Sequence, residues 1–104
     1  MLVRDILPEM IAELESGLKE YERPELAGTV ANLVMVDRCR CGDYFCGTFY
    51  TAPKPSGAWG IGHETIPLDC DNGYLNIDVL NGDIVSIEVL YRNEIRDKLI
   101  AALP

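Results

Sequence analysis

The chain has 104 residues, the size of one domain (residues 1–104) with one hydrophobic core. Hydrophobic residues make up 48% of it and charged residues 25%, which excludes a disordered, collagen-like or coiled-coil chain. Seventeen acidic and nine basic residues leave a net charge of -8. Because so negative a chain repels phosphate, nucleic acid and anionic membranes are poor partners, and a basic protein or a cation is a better one.

The first residues lack the features of a secretion signal, since residues 1–9 hold neither a basic start nor an unbroken apolar stretch. No apolar run approaches the ~20 residues of a membrane-spanning helix. We therefore expect a cytoplasmic protein whose four cysteines are thiols or metal-bound thiolates rather than disulfides.

Near the N-terminus, apolar residues recur every three or four positions with acidic residues between them, which predicts an amphipathic helix over about residues 3–22. The apolar positions are Ile6, Met10, Leu14, Leu18 and Tyr21. Pro24 ends this helix, because the residue before a proline is disfavoured in helical geometry. Gly17 inside the helix indicates that another stretch of backbone passes close to it.

β-Branched and aromatic residues over 30–36 and 45–51, with Gly42 and Asp43 between them, predict a hairpin. Residues 53–62 are rich in proline and glycine and predict a surface loop. A short third strand is expected near residues 64–68.

Two last strands, over about 74–80 and 84–90, flank Asn81, Gly82 and Asp83. A three-residue loop places all the alternating apolar residues on one face, whereas a two-residue turn mixes them with polar ones. We therefore predict the three-residue loop. The apolar residues it groups are Leu75, Ile77, Val79, Val85, Ile87 and Val89. The opposite face then carries four polar residues, Asn76, Asp78, Ser86 and Glu88.

Asn93 is the predicted N-cap of a final helix that turns Ile95 and Leu99 inward. The order helix, five strands, helix predicts an α+β domain. In that domain an antiparallel sheet of about five strands has an N-terminal and a C-terminal helix packed on one face.

Three cysteines, Cys39, Cys41 and Cys46, fall within eight residues at the predicted tip of the first hairpin. With Cys70 they form a candidate zinc site. Strand geometry weighs against it, since residues i and i+2 lie ~6.6 Å apart whereas two thiolates on one zinc lie ~3.8 Å apart. We therefore keep zinc binding as the alternative hypothesis. The preferred interpretation is that the four cysteines are small buried hydrophobic residues without a cofactor.

No catalytic motif is visible. The single histidine, His63, is the only candidate general base, and no serine or cysteine adjoins it in sequence. An enzyme built on His63 and a thiol requires a cleft that joins them. We predict that the protein is not an enzyme.

The acidic sheet face predicts a different function. Asp78, Glu88 and Asn76 lie on it, with Asp83 at its rim, and opposite charge speeds association and sets register with a basic protein. Trp59, in the proline- and glycine-rich loop, either folds back over the core or serves as a binding anchor. We therefore predict a non-enzymatic module that binds a basic protein.

Two segments of the chain resemble segments of other small proteins. They are residues 36–42, Val-Asp-Arg-Cys-Arg-Cys-Gly, followed by Cys46, and residues 82–90. The chain resembles small bacterial proteins with an Arg-Cys-x-Cys-Gly hairpin and a C-terminal Gly-x-Ile-x-x-Ile-Glu strand. Related chains often have a cysteine directly after that glycine, whereas three residues intervene here. The resemblance implies the α+β order of elements and no activity. In size and charge the chain also resembles bacterial immunity proteins, which implies a basic toxin as partner.

Overall fold

The computed structural model describes all 104 residues. The helices are α1 (Val3–Ile6), α2 (Pro8–Glu20), α3 (Pro24–Ala27) and α4 (Asn93–Ala102), with a 3-10 turn at Val30–Asn32. The strands are β1 (Asp37–Arg38), β2 (Phe49–Tyr50), β3 (His63–Leu68), β4 (Tyr74–Leu80) and β5 (Asp83–Leu90). They form one open antiparallel sheet in the order β1-β2-β5-β4-β3, so β5 lies at its centre.

The predicted α+β class and its layering are confirmed. One cluster of twenty buried residues joins the apolar face of β2 to β5 to residues of α1, α2 and α4. Phe49, Ile77, Ile87 and Ile95 are fully buried in it. No helix is both long and apolar enough to cross a membrane.

The N-terminal helix is interrupted, unlike the single helix expected over 3–22. Leu7 leaves helical geometry (φ -127°, ψ 62°) and α2 starts at Pro8, where a proline suits the first turn because its missing N–H has no partner there. The predicted apolar stripe of α2 is buried, at Met10, Leu14 and Leu18. A Cβ on Gly17 would lie 2.7 Å from Leu68 Cδ1, so the close neighbour is a side chain and not the expected backbone.

The predicted first hairpin is present as the antiparallel pair β1 and β2, but its first strand is misplaced in the prediction. Residues 30–36 do not form its first strand: a 3-10 turn begins at Val30, and Val3 N–H donates to the Leu33 carbonyl. Residues 45–50 do run beside β5, with Tyr91 N–H donating to the Phe45 carbonyl at 2.8 Å. Regular pairing is limited to β2, because Val89 N–H bonds to the Thr48 hydroxyl instead of a backbone carbonyl.

The final hairpin closes on two residues, so the predicted three-residue loop is wrong. Leu80 pairs with Asp83, and Asn81 (φ 51°) and Gly82 (φ 87°) have the positive φ angles that a type I′ turn requires. A β-bulge then restores the apolar face, because Val79 pairs with Ile84 while Asp78 pairs with Ser86. Val85 is the extra residue of the bulge. The pairs Ile77 with Ile87 and Leu75 with Val89 are as predicted.

The final helix begins at Asn93 itself, so Asn93 is its first residue and Arg92 precedes it. The inward positions Ile95 and Leu99 are buried as predicted. The shift by one residue leaves α4 without a side-chain cap.

Substitution of Gly73 is expected to destabilise the fold. Its φ is +78°, and an added Cβ would clash with the Leu90 carbonyl. We expect Gly73→Ala to lower the free energy of unfolding by about 2 kcal/mol or more, since the left-handed conformation alone costs roughly 1–2 kcal/mol. Urea unfolding measures it. Gly57→Ala is the control, because nothing lies within 4 Å of its Cβ position. An equal effect at both positions would contradict the structural reason.

Candidate metal centre

The loop between β1 and β2 holds three of the four cysteines. Cys39 follows the last residue of β1, and its N–H donates to the Thr48 carbonyl at 2.8 Å. Gly42, with φ +82°, turns the chain back. Cys46 is then held against β5, since it forms an isolated β-bridge with Leu90. The loop therefore brings Cys46 back towards the two cysteines at its start.

The Sγ atoms of Cys39, Cys41 and Cys46 all lie within 4.8 Å of one another. The strand-spacing objection to zinc does not apply, because Cys41 lies beyond the end of β1. Thiolates on one tetrahedral zinc lie ~3.8 Å apart, so movements of about 1 Å bring these sulfur atoms into coordination distance. The three sulfur atoms are close enough together to serve as ligands of one cation.

Cys70 does not belong to this cluster. It precedes β4, and its Sγ donates to the carbonyls of Asn72 at 3.6 Å and Gly73 at 3.5 Å. Its side chain packs against the hydrophobic core. The four-cysteine version of the predicted site is therefore reduced to three.

The three thiols influence one another's ionisation. Burial opposes ionisation of Cys46, but hydrogen bonds from Thr48 and the neighbouring thiols lower the pKa of Cys46 below its usual value. Cys41 behaves in the opposite way. The Asp43 N–H acts to lower its pKa, but burial and hydrogen bonds with Cys39 and Cys46 raise the pKa of Cys41 to about 11. These contacts therefore favour ionisation of Cys46 and oppose ionisation of Cys41.

A small cavity lies beside the thiols, where the loop meets α4. Its volume is about 20 Å³, which holds one water-sized atom. Residues of the loop, β1 and α4 line it: Arg38, Cys39, Cys41, Asp43, Cys46, Thr48, Arg96, Leu99 and Ile100. The final helix thus supplies one wall of the site.

Two arginines reach this cavity, and neither makes an ion pair with a carboxylate. Arg38 Nε donates to the Leu103 carbonyl at 2.5 Å, and Arg96 Nε donates to the Asp43 carbonyl at 3.3 Å. Sequence reasoning missed Arg96, because more than fifty residues separate it from the cysteines and its helix carries no local signal of a site.

The acidic face predicted for partner binding lies on the side of the sheet away from the core. It is partly covered by other residues of the chain. Asn76 is 7% exposed and Ser86 only 1%. Trp59 is half-buried and packs on the ring of Tyr50, 6.4 Å away, so it folds back over this face. Asp83 is exposed at the hairpin turn and Glu88 is half-buried.

Asp78 uses its carboxylate inside the domain. It accepts hydrogen bonds from Ser86 Oγ at 2.6 Å and Thr65 Oγ1 at 3.0 Å, and His63 Nε2 lies 2.9 Å away. Burial opposes its ionisation, but these bonds lower the pKa of Asp78 below its usual value. Burial and the nearby charge of Asp78 raise the pKa of Glu88.

The lowered pKa of Asp78 predicts an acid-sensitive fold. As pH falls from about 5, the unfolded chain takes up this proton first, near pH 3.9, so the stability contributed by Asp78 is lost as pH drops through its lower folded pKa. His63 and Glu88 are the other ionisable groups facing Asp78, and the raised pKa of Glu88 acts in the opposite direction.

We expect Asp78→Asn to be less stable than the parent protein at pH 7, and this difference to shrink towards pH 3. Urea unfolding across this pH range measures it. The control is Asp83→Asn, an exposed residue in no ion pair. A difference that stays constant from pH 7 to pH 3 would contradict the assignment.

His63 and the thiols do not share a cleft. Neither of the two cavities contains His63. Its imidazole is bonded to Asp78 on the sheet face. The cleft expected to join His63 to a cysteine is therefore not among the two cavities.

Fold and site define an α+β domain with a three-thiol centre between a loop and its last helix. Comparison of the chain with protein-family models, with curated proteins and with solved structures gave no match in any of the three. Functional inference therefore starts from the chemistry of the residues described above.

Proposed function

We propose that this protein is a small metal-binding domain that holds one Zn²⁺ ion through Cys39, Cys41 and Cys46. The observation that carries the proposal is the mutual approach of the three Sγ atoms to within 4.8 Å. Thiolate sulfur is a preferred ligand of zinc, and three soft donors favour it over Mg²⁺ or Ca²⁺, which bind oxygen. A reducing cytoplasm keeps such thiols available to a metal.

The role supported best is a structural one. Residues 39–48 lie between strands of only two residues each, so few ladder hydrogen bonds order this loop. An ion bound by both ends of the loop would connect β1 to the segment that runs beside β5. Because metal binds the folded site and not an unfolded chain, its binding energy stabilises the fold.

Purified under reducing conditions, the protein is expected to contain about one zinc ion per chain by elemental analysis. Removing the ion with a chelator is expected to lower the free energy of unfolding, and excess Zn²⁺ to restore it. Free zinc at 100 times its Kd contributes about 2.7 kcal/mol. A metal-free protein with intact thiols, whose unfolding is the same with and without zinc, would contradict the proposal.

A second candidate function is the binding of a basic protein, such as a toxin neutralised by an immunity protein. The observation that favours it is unbalanced charge: of seventeen acidic residues, seven make ion pairs, so ten carboxylates have no cationic partner. Asp83 and Glu88 belong to this group, and Trp59 lies over the same face. Asn76 and Asp78 contribute less surface, because Asn76 is buried and Asp78 is engaged internally.

Binding is tested with the protein encoded by the adjacent gene, at low and high salt. Asp83→Lys combined with Glu88→Gln is expected to weaken association about tenfold at low salt, mainly through a slower on-rate. Asp97→Lys combined with Glu20→Gln, at two exposed helical residues, is the matched control because it changes the net charge by the same amount. An equal loss of affinity in the two variants would show that binding depends on net charge and not on this face.

A further inference from the structure

The thiol cluster supplies three ligands, one fewer than tetrahedral zinc takes. No carboxylate or imidazole joins Cys39, Cys41 and Cys46 in the group whose ligand atoms lie within 4.8 Å. His63 is bonded to Asp78, and Cys70 is bonded to backbone carbonyls before β4. Sites with three protein ligands keep a fourth position for water or an external ligand. The remaining ligand therefore comes from outside the chain.

The cavity beside the thiols matches that position. It holds one water-sized atom, and the three cysteines form part of its wall. Leu99 and Ile100 form another part, so the space is suited to a single donor atom rather than to a large hydrated group.

Charge at the cavity indicates the kind of ligand. Three thiolates outweigh the charge of Zn²⁺ by one, whereas Arg38 and Arg96 together contribute two positive charges. In a protein with ten unpaired carboxylates, both arginines instead lie at the thiol cavity and bond to carbonyl oxygens. The carboxylate of Asp43, which also lines the cavity, brings this sum to zero. Asp43 is exposed whereas Arg38 and Arg96 are half-buried, so solvent screens its charge more than theirs and leaves the two arginines as the groups that favour an anionic donor.

We propose that the fourth position of the zinc site binds a small external anion through one donor atom, with Arg38 and Arg96 compensating its charge. This inference rests on the proposed zinc site and adds its ligand class. The ligand is monovalent and monodentate, a thiolate of a small thiol or an inorganic anion of similar size. Such a position turns a structural centre into a receptor for that ligand.

Cobalt replaces zinc as a spectroscopic probe for the test. Co²⁺ is added to the full chain under reducing conditions, and sulfur-to-cobalt charge-transfer bands report thiolate binding. Sodium azide and 2-mercaptoethanol are then titrated separately. We expect at least one of them to shift the visible cobalt bands with saturation at one ligand per metal.

The arginines are tested by substitution. Arg96→Gln and Arg38→Gln are each expected to weaken azide or thiol binding about tenfold, since hydrogen bonds from charged donors are the strong ones. Arg96→Lys retains the charge and is expected to stay within about threefold. Arg4→Gln is the matched control, an exposed arginine that makes no ion pair and does not line the cavity.

The outcomes separate the two proposals. Absence of thiolate-to-cobalt bands overturns the metal site itself. Bands that appear but do not respond to either probe overturn only the open position. If Arg4→Gln weakens azide or thiol binding as much as Arg96→Gln does, the proposed role of Arg38 and Arg96 is overturned.

Discussion

Cys46→Ser is expected to lower zinc affinity at least about hundredfold, because loss of an outer-shell partner alone costs tenfold to a hundredfold and this change removes a ligand. Cys46 is held in place by backbone pairing with Leu90 of β5. Its pKa is lowered by hydrogen bonds from Thr48 and the neighbouring thiols, which favours the thiolate form that binds a metal. Competition with a chromophoric chelator measures the affinity.

Cys70→Ser is the matched control for this experiment. The same atom is exchanged, in a thiol that lies outside the cluster and bonds to backbone carbonyls. Zinc affinity is expected to be unchanged in this variant. If Cys70→Ser loses as much affinity as Cys46→Ser, or if Cys46→Ser retains it, the three-thiol centre is not the site of binding.

Arg92→Met is expected to lower the free energy of unfolding by about 3 kcal/mol, the lower end of the range for breaking a buried pair. The Arg92 side chain is 8% exposed, and its Nη1 lies 2.8 Å from both carboxylate oxygens of Glu13. This pair joins the residue before α4 to the middle of α2. Glu13 is 29% exposed and can be hydrated after the change, which places the loss at the lower end.

Lys98→Met is the control for the ion pair. Lys98 Nζ also joins α4 to α2, through Glu9 at 2.8 Å, but the two side chains are 47% and 41% exposed. Exposed pairs contribute about 0.2–1 kcal/mol, so a small effect is expected. Thermal unfolding of both variants decides the comparison, and similar losses would show that burial is not the cause.

The zinc-affinity and the unfolding experiments both concern the region where α4 meets the cysteine loop. α4 begins next to Arg92 and supplies Arg96, Leu99 and Ile100 to the wall of the thiol cavity. Its position relative to the loop sets the size of that cavity. We therefore expect features that hold α4 in place to affect ligand access as well as stability.

The regular spacing of apolar residues along the chain is sufficient to predict the layered fold. The spacing of Met10, Leu14 and Leu18 marks the buried face of α2, and the alternation around Ile77 and Ile87 marks the apolar face of the sheet. Both follow from local repeat lengths, which burial on one face imposes on the residues themselves. The class of domain was predictable for this reason.

Details that depend on distant partners were not predictable. The two-residue turn at Asn81 and Gly82 is compatible with the apolar face only because a bulge at Val85 shifts the register, and alternation alone does not contain that shift. Likewise, Asp78 was assigned to a free surface although Ser86 and Thr65 hydrogen-bond to it from neighbouring strands.

The cysteines illustrate both what the sequence predicts and what only the tertiary structure decides. Their number and their crowding within eight residues are properties of the linear chain, and they already suggest a thiophilic ion. Whether the sulfur atoms meet depends on where β1 ends, on the turn at Gly42 and on the attachment of Cys46 to β5. These are set by long-range hydrogen bonds and packing against α4, which local spacing does not encode.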